Sequence, residues 1–263
     1  MMGTILDTIA EHTRVRVSEA KKIRSTDEIK RAAYAMEKGD FAFERALKKQ
    51  DIAFICECKK ASPSKGIIAE DFPYLKIARE YEAAGADAIS VLTEPEWFLG
   101  SNDYLREIAA EVNIPVLRKD FTVDEYMIYE AKLLGASAVL LIVSILSSEE
   151  LARYMAICDE LGLSALVETH DEGEIETALN AGARVIGVNN RNLKDFSVDT
   201  GLSAKLRKLI PENVVFVSES GVKSADDIAG IRKFGADAVL VGETLMRAED
   251  KTEKLNELKG GRI

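Results

Sequence analysis

Polar residues close nearly every buried apolar run in this chain, and many of them are ionisable. In chain order they are Glu57 and Lys59; Thr93 and Glu94; Arg118, Lys119 and Asp120; Ser144; Glu168; Asn189 and Arg191; Glu219 and Ser220; and Gly242 with Glu243. The runs are too apolar to solvate a charge, and a buried charge without a partner is costly. Any one of these residues alone reads as a salt bridge at a rim. The set reads differently, because stability does not ask for polar groups at the same end of every run. These charges must pair with one another, with a ligand, or with both. Strand alternation turns Glu57 and Lys59 to one face and sends Cys56 and Cys58 to the other, against helices.

Two loops of small residues suit a phosphate. Ser220-Gly221-Val222 follows the seventh run and Gly242-Glu243-Thr244 follows the eighth. Glycine lets backbone N–H groups approach an oxyanion, and a helix N-terminus behind it favours negative charge. Ser62-Pro63-Ser64-Lys65-Gly66 is a third segment that can close over the same group.

The elements that must position these residues follow from a hidden period. Gly85-Ala86, Gly135-Ala136, Gly182-Ala183 and Gly235-Ala236 each lead into an apolar run, at successive distances of 50, 47 and 53 residues. One further run lies between each pair (114–117, 163–167, 214–217), and residues 52–56 supply another at the front. Eight runs at intervals of about 25 residues are what strand, helix and short loops require. The runs are apolar at almost every position, as in 138–143, which predicts strands buried on both faces. Leu75, Ala78, Tyr81 and Glu82, then Ile175, Ala178 and Leu179, predict amphipathic helices that end in glycine. Ser147-Ser148-Glu149-Glu150 reads as a capped helix start.

Eight βα units in succession give an α/β chain folded as a (βα)8 TIM barrel. An open dinucleotide-binding sheet would carry Gly-x-Gly-x-x-Gly after its first strand, and none is present. No linker composition breaks the period, so residues 1–263 read as one domain, with the barrel over 51–250. Residues 1–50 are expected to form a helical extension: one helix with Ile5, Ile9, His12, Val15 and Arg16, a second capped at Ser25, and a third over 41–48. A plug under the barrel and a cover near its active mouth are equally open.

A length of 263 residues, 47% hydrophobic and 30% charged, is that of a globular chain. No apolar run approaches the roughly 20 residues that span a bilayer. The first residues lack a basic region and a small-residue cleavage site, and three cysteines without zinc spacing point to a reducing cytoplasm. A net charge of −10 without a long Lys/Arg run argues against nucleic-acid binding. His12 and His170 have no second ligand at a useful spacing; no metal is expected, and both histidines read as surface or capping residues.

The stretch 57–66, Glu-Cys-Lys-Lys-Ala-Ser-Pro-Ser-Lys-Gly, resembles the signature of the indole-3-glycerol-phosphate synthase family, the barrel enzymes of this name in tryptophan biosynthesis. Further motifs follow in the family's order: Ser90-Val91-Leu92-Thr93-Glu94 with Phe98-x-Gly100-Ser101; Arg118-Lys119-Asp120-Phe121; Val167-Glu168-Thr169; Gly187-Val188-Asn189-Asn190-Arg191-Asn192-Leu193; Ser218-Glu219-Ser220-Gly221; and 241–247. The likeness covers nearly the whole chain. It implies closure of an indole ring on a phosphorylated small molecule, 1-(2-carboxyphenylamino)-1-deoxyribulose 5-phosphate, with loss of carbon dioxide and water and with no cofactor.

By the same resemblance Lys119 is the general acid, Lys59 holds the ring carboxylate, Glu168 is the general base of the dehydration, and Glu57 orients groups and tunes the lysines. Asn189, Arg191, Glu219 and Ser220 order the substrate hydroxyls and the charges. Ser62, Gly221, Gly242 and Glu243 form the phosphate cradle, and other tryptophan-pathway enzymes are the partners it allows. Departures are small: Asn192 and Thr244 differ from common family residues, and Ala61 leaves Lys65 to serve phosphate or loop closure. Another phosphosugar barrel, such as phosphoribosylanthranilate isomerase, needs no such pair of lysines and glutamates. An inactive barrel kept as a binding partner would be expected to lose Lys119 or Glu168, and both are present.

Overall fold

The structure, a computed structural model, describes residues 4–192 and 195–261. Leu193, the last residue of one sequence motif, lies outside them. The described residues form a closed parallel barrel of strands β1 (Ala53–Cys58), β2 (Ala88–Leu92), β3 (Val116–Lys119), β4 (Ala138–Ile142), β5 (Ser164–Thr169), β6 (Val185–Asn189), β7 (Val215–Glu219) and β8 (Ala238–Val241). β1 pairs with both β2 and β8, which closes the ring. The expected (βα)8 TIM barrel is the observed fold.

Alternation along each strand builds two cores. Ala53, Ile55, Leu117, Leu140, Leu166, Val217 and Leu240 fill the barrel. Cys56, Cys58, Ile89, Val139, Leu141, Ile186, Phe216 and Val239 pack outward under the helices, as the expected facing of the two cysteines requires. Glycines past helix ends, Gly85, Gly135, Gly182 and Gly235, all have φ between 76° and 86°, the left-handed conformation that turns each helix into the next strand. The strands run further than the apolar runs. The ladder continues through Glu57↔Ser90, Ile142↔Glu168 and Asn189↔Glu219, so these polar residues at the strand ends are held on strand backbone.

The extension supplies both a plug and a cover. Helix α1 (Ile5–Ile23) brings Leu6 and Ile9 over the carboxyl ends of the strands, beside Phe121 and Ile142. Helix α2 (Thr26–Ala35) starts at the expected Ser25 cap, where Glu28 completes a capping box. Helix α3 (Ala42–Leu47) drives Phe43 and Leu47 into the opposite end, where the Glu44 amide donates to Ser164 Oγ at 3.2 Å. Burial of Ile9 alone contributes about 1.5–3 kcal/mol to seating α1. The half-exposed pair Lys21–Asp124, at 2.6 Å, adds about 1 kcal/mol at most. A better clamp is Arg16, whose Nη2 lies 2.7 Å from the fully buried Asp120 just past β3.

Around the barrel run α4 (Tyr74–Ala83), α5 (Asn102–Glu111), α6 (Glu125–Leu133), α7 (Ser148–Leu161), α8 (Glu172–Asn180), α9 (Gly201–Arg207), α10 (Ala225–Lys233), a short α11 (Glu243–Met246) and α12 (Lys251–Leu258). Of the face expected on α4, Ala78 and Tyr81 are buried, joined by Ile77, while Glu82 turns out to accept the Asn113 amide at 2.7 Å. No helix among the described residues is long and apolar enough to cross a membrane.

Candidate active site

A cavity of about 700 Å³ opens at the carboxyl ends of the strands, a size that suits a small ligand. Every site residue expected from the sequence lines it: Glu57, Lys59, Ser62, Lys119, Glu168, Asn189, Arg191, Glu219, Ser220, Gly221, Gly242 and Glu243. Ile5, Leu6, Ile9, Phe98 and Phe121 add an apolar wall.

At the centre stands Lys119, the last residue of β3. Its Nζ lies 2.8 Å from Glu219 Oε2 on β7 and 3.4 Å from Glu168 Oε2 on β5. Lys59, just past β1, donates to Glu57 Oε2. Asn189 on β6 donates through Nδ2 to Glu168 Oε1 at 3.2 Å, and its Oδ1 accepts from Ser220 Oγ at 2.9 Å and from the Arg191 amide at 3.1 Å. Two lysines and three glutamates thus meet from four strands, although they are spread over 57–219 in the sequence.

Burial opposes ionisation of all the buried groups, and pairing decides the outcome. Burial pulls the Lys119 ammonium toward deprotonation, but the carboxylates of Glu219, Glu168 and Glu57 outweigh it, and its pKa rises. Glu168 is pushed up by burial and then drawn below the usual carboxylate range by Lys119, His170 and Asn189. Glu219 goes the other way: burial and the neighbouring carboxylates exceed the pull of Lys119, and its pKa rises. Three acids around one cation cannot all be equally ionised, and these two are driven apart.

Two glycines admit the carboxylates. A Cβ on Gly187, inside β6, would lie 2.1 Å from Glu219 Oε1, and one on Gly242 would lie 2.2 Å from Glu57 Oε2. Both contacts are far inside van der Waals distance, so a side chain at either position displaces a glutamate. Gly187→Ala is expected to cut kcat by about 10²-fold, the scale of a misplacement of about 1 Å, with little loss of secondary structure. Steady-state kinetics beside a circular dichroism spectrum checks this.

The phosphate-type loops frame the other side of the cavity. Ser220 and Gly221 have φ of 66° and 99°, a tight left-handed turn before α10. The Ser220 carbonyl accepts from Asn190 Nδ2 at 3.1 Å, which holds the non-glycine residue in that conformation. Lys65 Nζ is 3.8 Å from Glu243 Oε1, linking the loop after β1 to the loop after β8. Lys65, Lys223 and Arg247 give this side its positive charge.

Other strand-end groups serve the scaffold. Arg118 turns outward to Glu130 Oε2 at 2.6 Å and Asn102 Oδ1 at 2.9 Å. The fully buried Glu94 accepts the amides of Glu96, Trp97 and Phe98. The histidine expectation needs correction. His12 packs edge-on against Trp97, with ring centroids 5.1 Å apart, and His170 is tucked beside Glu168. The pattern held a signal for the second: His170 follows Glu168 by two residues, which in a strand is the same face.

A family model described as indole-3-glycerol phosphate synthase matches residues 6–258. The chain is 56% identical over 257 residues to an indole-3-glycerol phosphate synthase of Ruminiclostridium cellulolyticum, covering 97% of this chain and 99% of that protein. It is 54% identical over 256 residues to one of Endomicrobium trichonymphae, covering 97% and 99% respectively. Among solved structures, a chain of the tryptophan synthase α2β2 complex from Pyrococcus furiosus superposes with a TM-score of 0.61 at 16% identity, over 80% of this chain and 98% of that one, a likeness of fold.

Proposed function

Because this chain belongs to the indole-3-glycerol phosphate synthase family, we propose that Lys119 is the general acid and Glu168 the general base of its ring closure. The enzyme is a carboxy-lyase of tryptophan biosynthesis. It converts 1-(2-carboxyphenylamino)-1-deoxyribulose 5-phosphate to indole-3-glycerol phosphate, carbon dioxide and water. What supports the division of roles is one observation: a buried ammonium lies within 3.4 Å of two carboxylates whose ionisation is driven apart.

The steps follow from where charge develops. The ring carbon bearing the carboxylate attacks the ribulose carbonyl carbon, and the carbonyl oxygen gains negative charge. Lys119 delivers a proton to that oxygen, and its paired carboxylates keep it loaded beforehand. Lys59, oriented by Glu57, holds the ring carboxylate until it leaves as carbon dioxide and the ring regains aromaticity. The new hydroxyl then departs as water, taking up a proton from solvent, while Glu168 accepts the proton that the ring system must lose. Asn189, Arg191, Glu219 and Ser220 order the hydroxyls and charges around these steps. Ser62, Gly221, Gly242 and Glu243 seat the phosphate, where the first amides of α11 have no carbonyl within the helix to bond. Lys65 closes over the same group, and the apolar wall packs the aromatic ring.

We read residues 51–250 as the barrel and 1–50 as its extension within a single domain over 1–263; supporting this, Ile5, Leu6 and Ile9 line the cavity itself. A cytoplasmic setting beside other tryptophan-pathway enzymes belongs to the same reading, in keeping with three buried free thiols. The test is direct. The purified protein given the carboxyphenylamino substrate should develop indole fluorescence. Turnover of the isomerase substrate without that signal contradicts the assignment. Affinity for inorganic phosphate or a substrate analogue should fall as ionic strength rises, because the Debye length shrinks from about 30 Å at 0.01 M to about 3 Å at 1 M. Titration calorimetry across that range reads it, and salt-independent binding contradicts a local cationic cluster in a chain of net charge −10.

A further inference from the structure

Behind Glu168, among residues that do not line the cavity, is a group that none of the steps above uses. His170 follows β5 directly, and its ring stands between two carboxylates. Nδ1 lies 3.0 Å from Glu174 Oε2, an oxygen that also accepts the His170 amide at 2.7 Å. Nε2 lies 3.4 Å from Glu168 Oε1 and is buried, with no hydrogen bond of its own among the described residues. Glu174 is itself fixed: it sits in the first turn of α8, where its amide donates to the cap residue Asp171 at 2.9 Å.

This arrangement selects a charge state. A neutral imidazole carries one N–H and one lone pair, so one of its nitrogens would turn a lone pair toward a carboxylate oxygen. The doubly protonated ring alone offers a donor to each side. Burial disfavours that charge, but attraction from Glu168 and Glu174, with the hydrogen bond to Glu174, outweighs it and lifts the pKa to about 10. Among the described residues, Glu168 and Glu174 are the ionisable groups that face the ring, and beyond Glu168 lie Lys119 and Glu219.

We infer that His170 is a positioning residue for the dehydration, an imidazolium that keeps Glu168 ionised and aimed at the cavity after Lys119 has given up its proton. The inference rests on Glu168 being the base. Its logic is sequential. Once Lys119 has protonated the carbonyl oxygen it is neutral, and the cation that held Glu168 in its charged form is gone just before a base is needed. His170 touches no substrate atom in this scheme and keeps its charge throughout. A cation within about 4–6 Å lowers a carboxyl pKa by about 1–3 units, enough to bridge the interval between the two proton transfers.

The experiment compares pH profiles of kcat for the full chain, His170→Asn and Glu174→Gln. Removing the imidazolium raises the pKa of Glu168, so its protonation begins at higher pH. The acid limb of kcat should therefore move upward by about one unit or more in His170→Asn. In Glu174→Gln, which keeps the imidazolium at acid pH, the limb should stay close to that of the unmodified chain. KM should change less than twofold, because neither residue lines the cavity. A uniform loss of kcat with an unmoved acid limb overturns the inference, since a merely structural role gives that result. Imidazole titration by NMR supplies a readout free of turnover, with His12 as the one other histidine for reference. His170 should titrate well above the ordinary value of about 6.5 and fall toward it in Glu168→Gln; titration near 6.5 in the unmodified chain overturns the bridge. Near-normal turnover in Glu168→Gln removes the base assignment and this inference with it. The expected loss in Glu168→Gln with an unmoved limb in His170→Asn removes this inference alone.

Discussion

Lys119→Ala is expected to lower kcat by about 10²–10⁴-fold, the contribution of a positioned general acid, while the barrel stays folded. The ammonium is bonded to Glu219 and close to Glu168, so its loss removes the proton donor and a charge that organises both acids. Breaking a buried ion pair by deleting one partner commonly costs about 3–5 kcal/mol, because the surviving charge is left unpaired. Here the penalty has an outlet. Glu219 has its pKa pushed up to about 7, so near neutral pH it can take up a proton instead of remaining a bare buried anion. Thermal unfolding and circular dichroism should therefore report a folded protein with a modestly altered Tm, and kinetics a nearly silent one. A variant with native Tm and near-native kcat would remove Lys119 from its role.

Glu168→Gln is expected to be as damaging, about 10²–10⁴-fold in kcat, but at a different step. The amide keeps the shape and one acceptor oxygen, so Asn189 and the strand register survive. What disappears is the ability to take a proton. Ring closure and decarboxylation draw on Lys119 and Lys59, and they should continue after substrate is added. Dehydration should stall. In a single turnover carbon dioxide should appear well before indole absorbance, whereas in the unmodified enzyme the two should rise nearly together. The double variant Lys119→Ala/Glu168→Gln should be little worse than Lys119→Ala, because a reaction that does not start gains nothing from a base that acts later.

Much of this was legible in the residues, for physical reasons that differ from part to part. Strands buried on both faces must be apolar at each position, and a barrel repeats that demand every 25 residues or so, which is why the Gly-Ala punctuation announced the fold. The acids and lysines stood out because 138–143 and its counterparts cannot tolerate charge except where the chain leaves the barrel wall. Other features rest on pairings that no local pattern encodes. Arg16 reaches Asp120 across 104 positions, and only the packed structure brings them together. The extension offered similar apolar faces in α1 and α3, so plug and cover were indistinguishable until Ile9 and Phe43 were seen at opposite ends of the same interior. At Gly187 inside β6, the approach of the Glu219 carboxylate is another contact that no local pattern encodes. His170 is hard to read in sequence because a lone histidine without a second ligand argues only against a metal, and an imidazolium between carboxylates needs no metal.

Catalysis in this site turns on a single division of labour, an ammonium that begins the reaction and a carboxylate that finishes it. Single-turnover release of carbon dioxide, timed against indole absorbance in Lys119→Ala and in Glu168→Gln, separates the two roles. The prediction is loss of both signals together in Lys119→Ala, and carbon dioxide running ahead of indole in Glu168→Gln. Synchronous loss of both signals in each variant, or carbon dioxide released at the normal rate by Lys119→Ala, contradicts it.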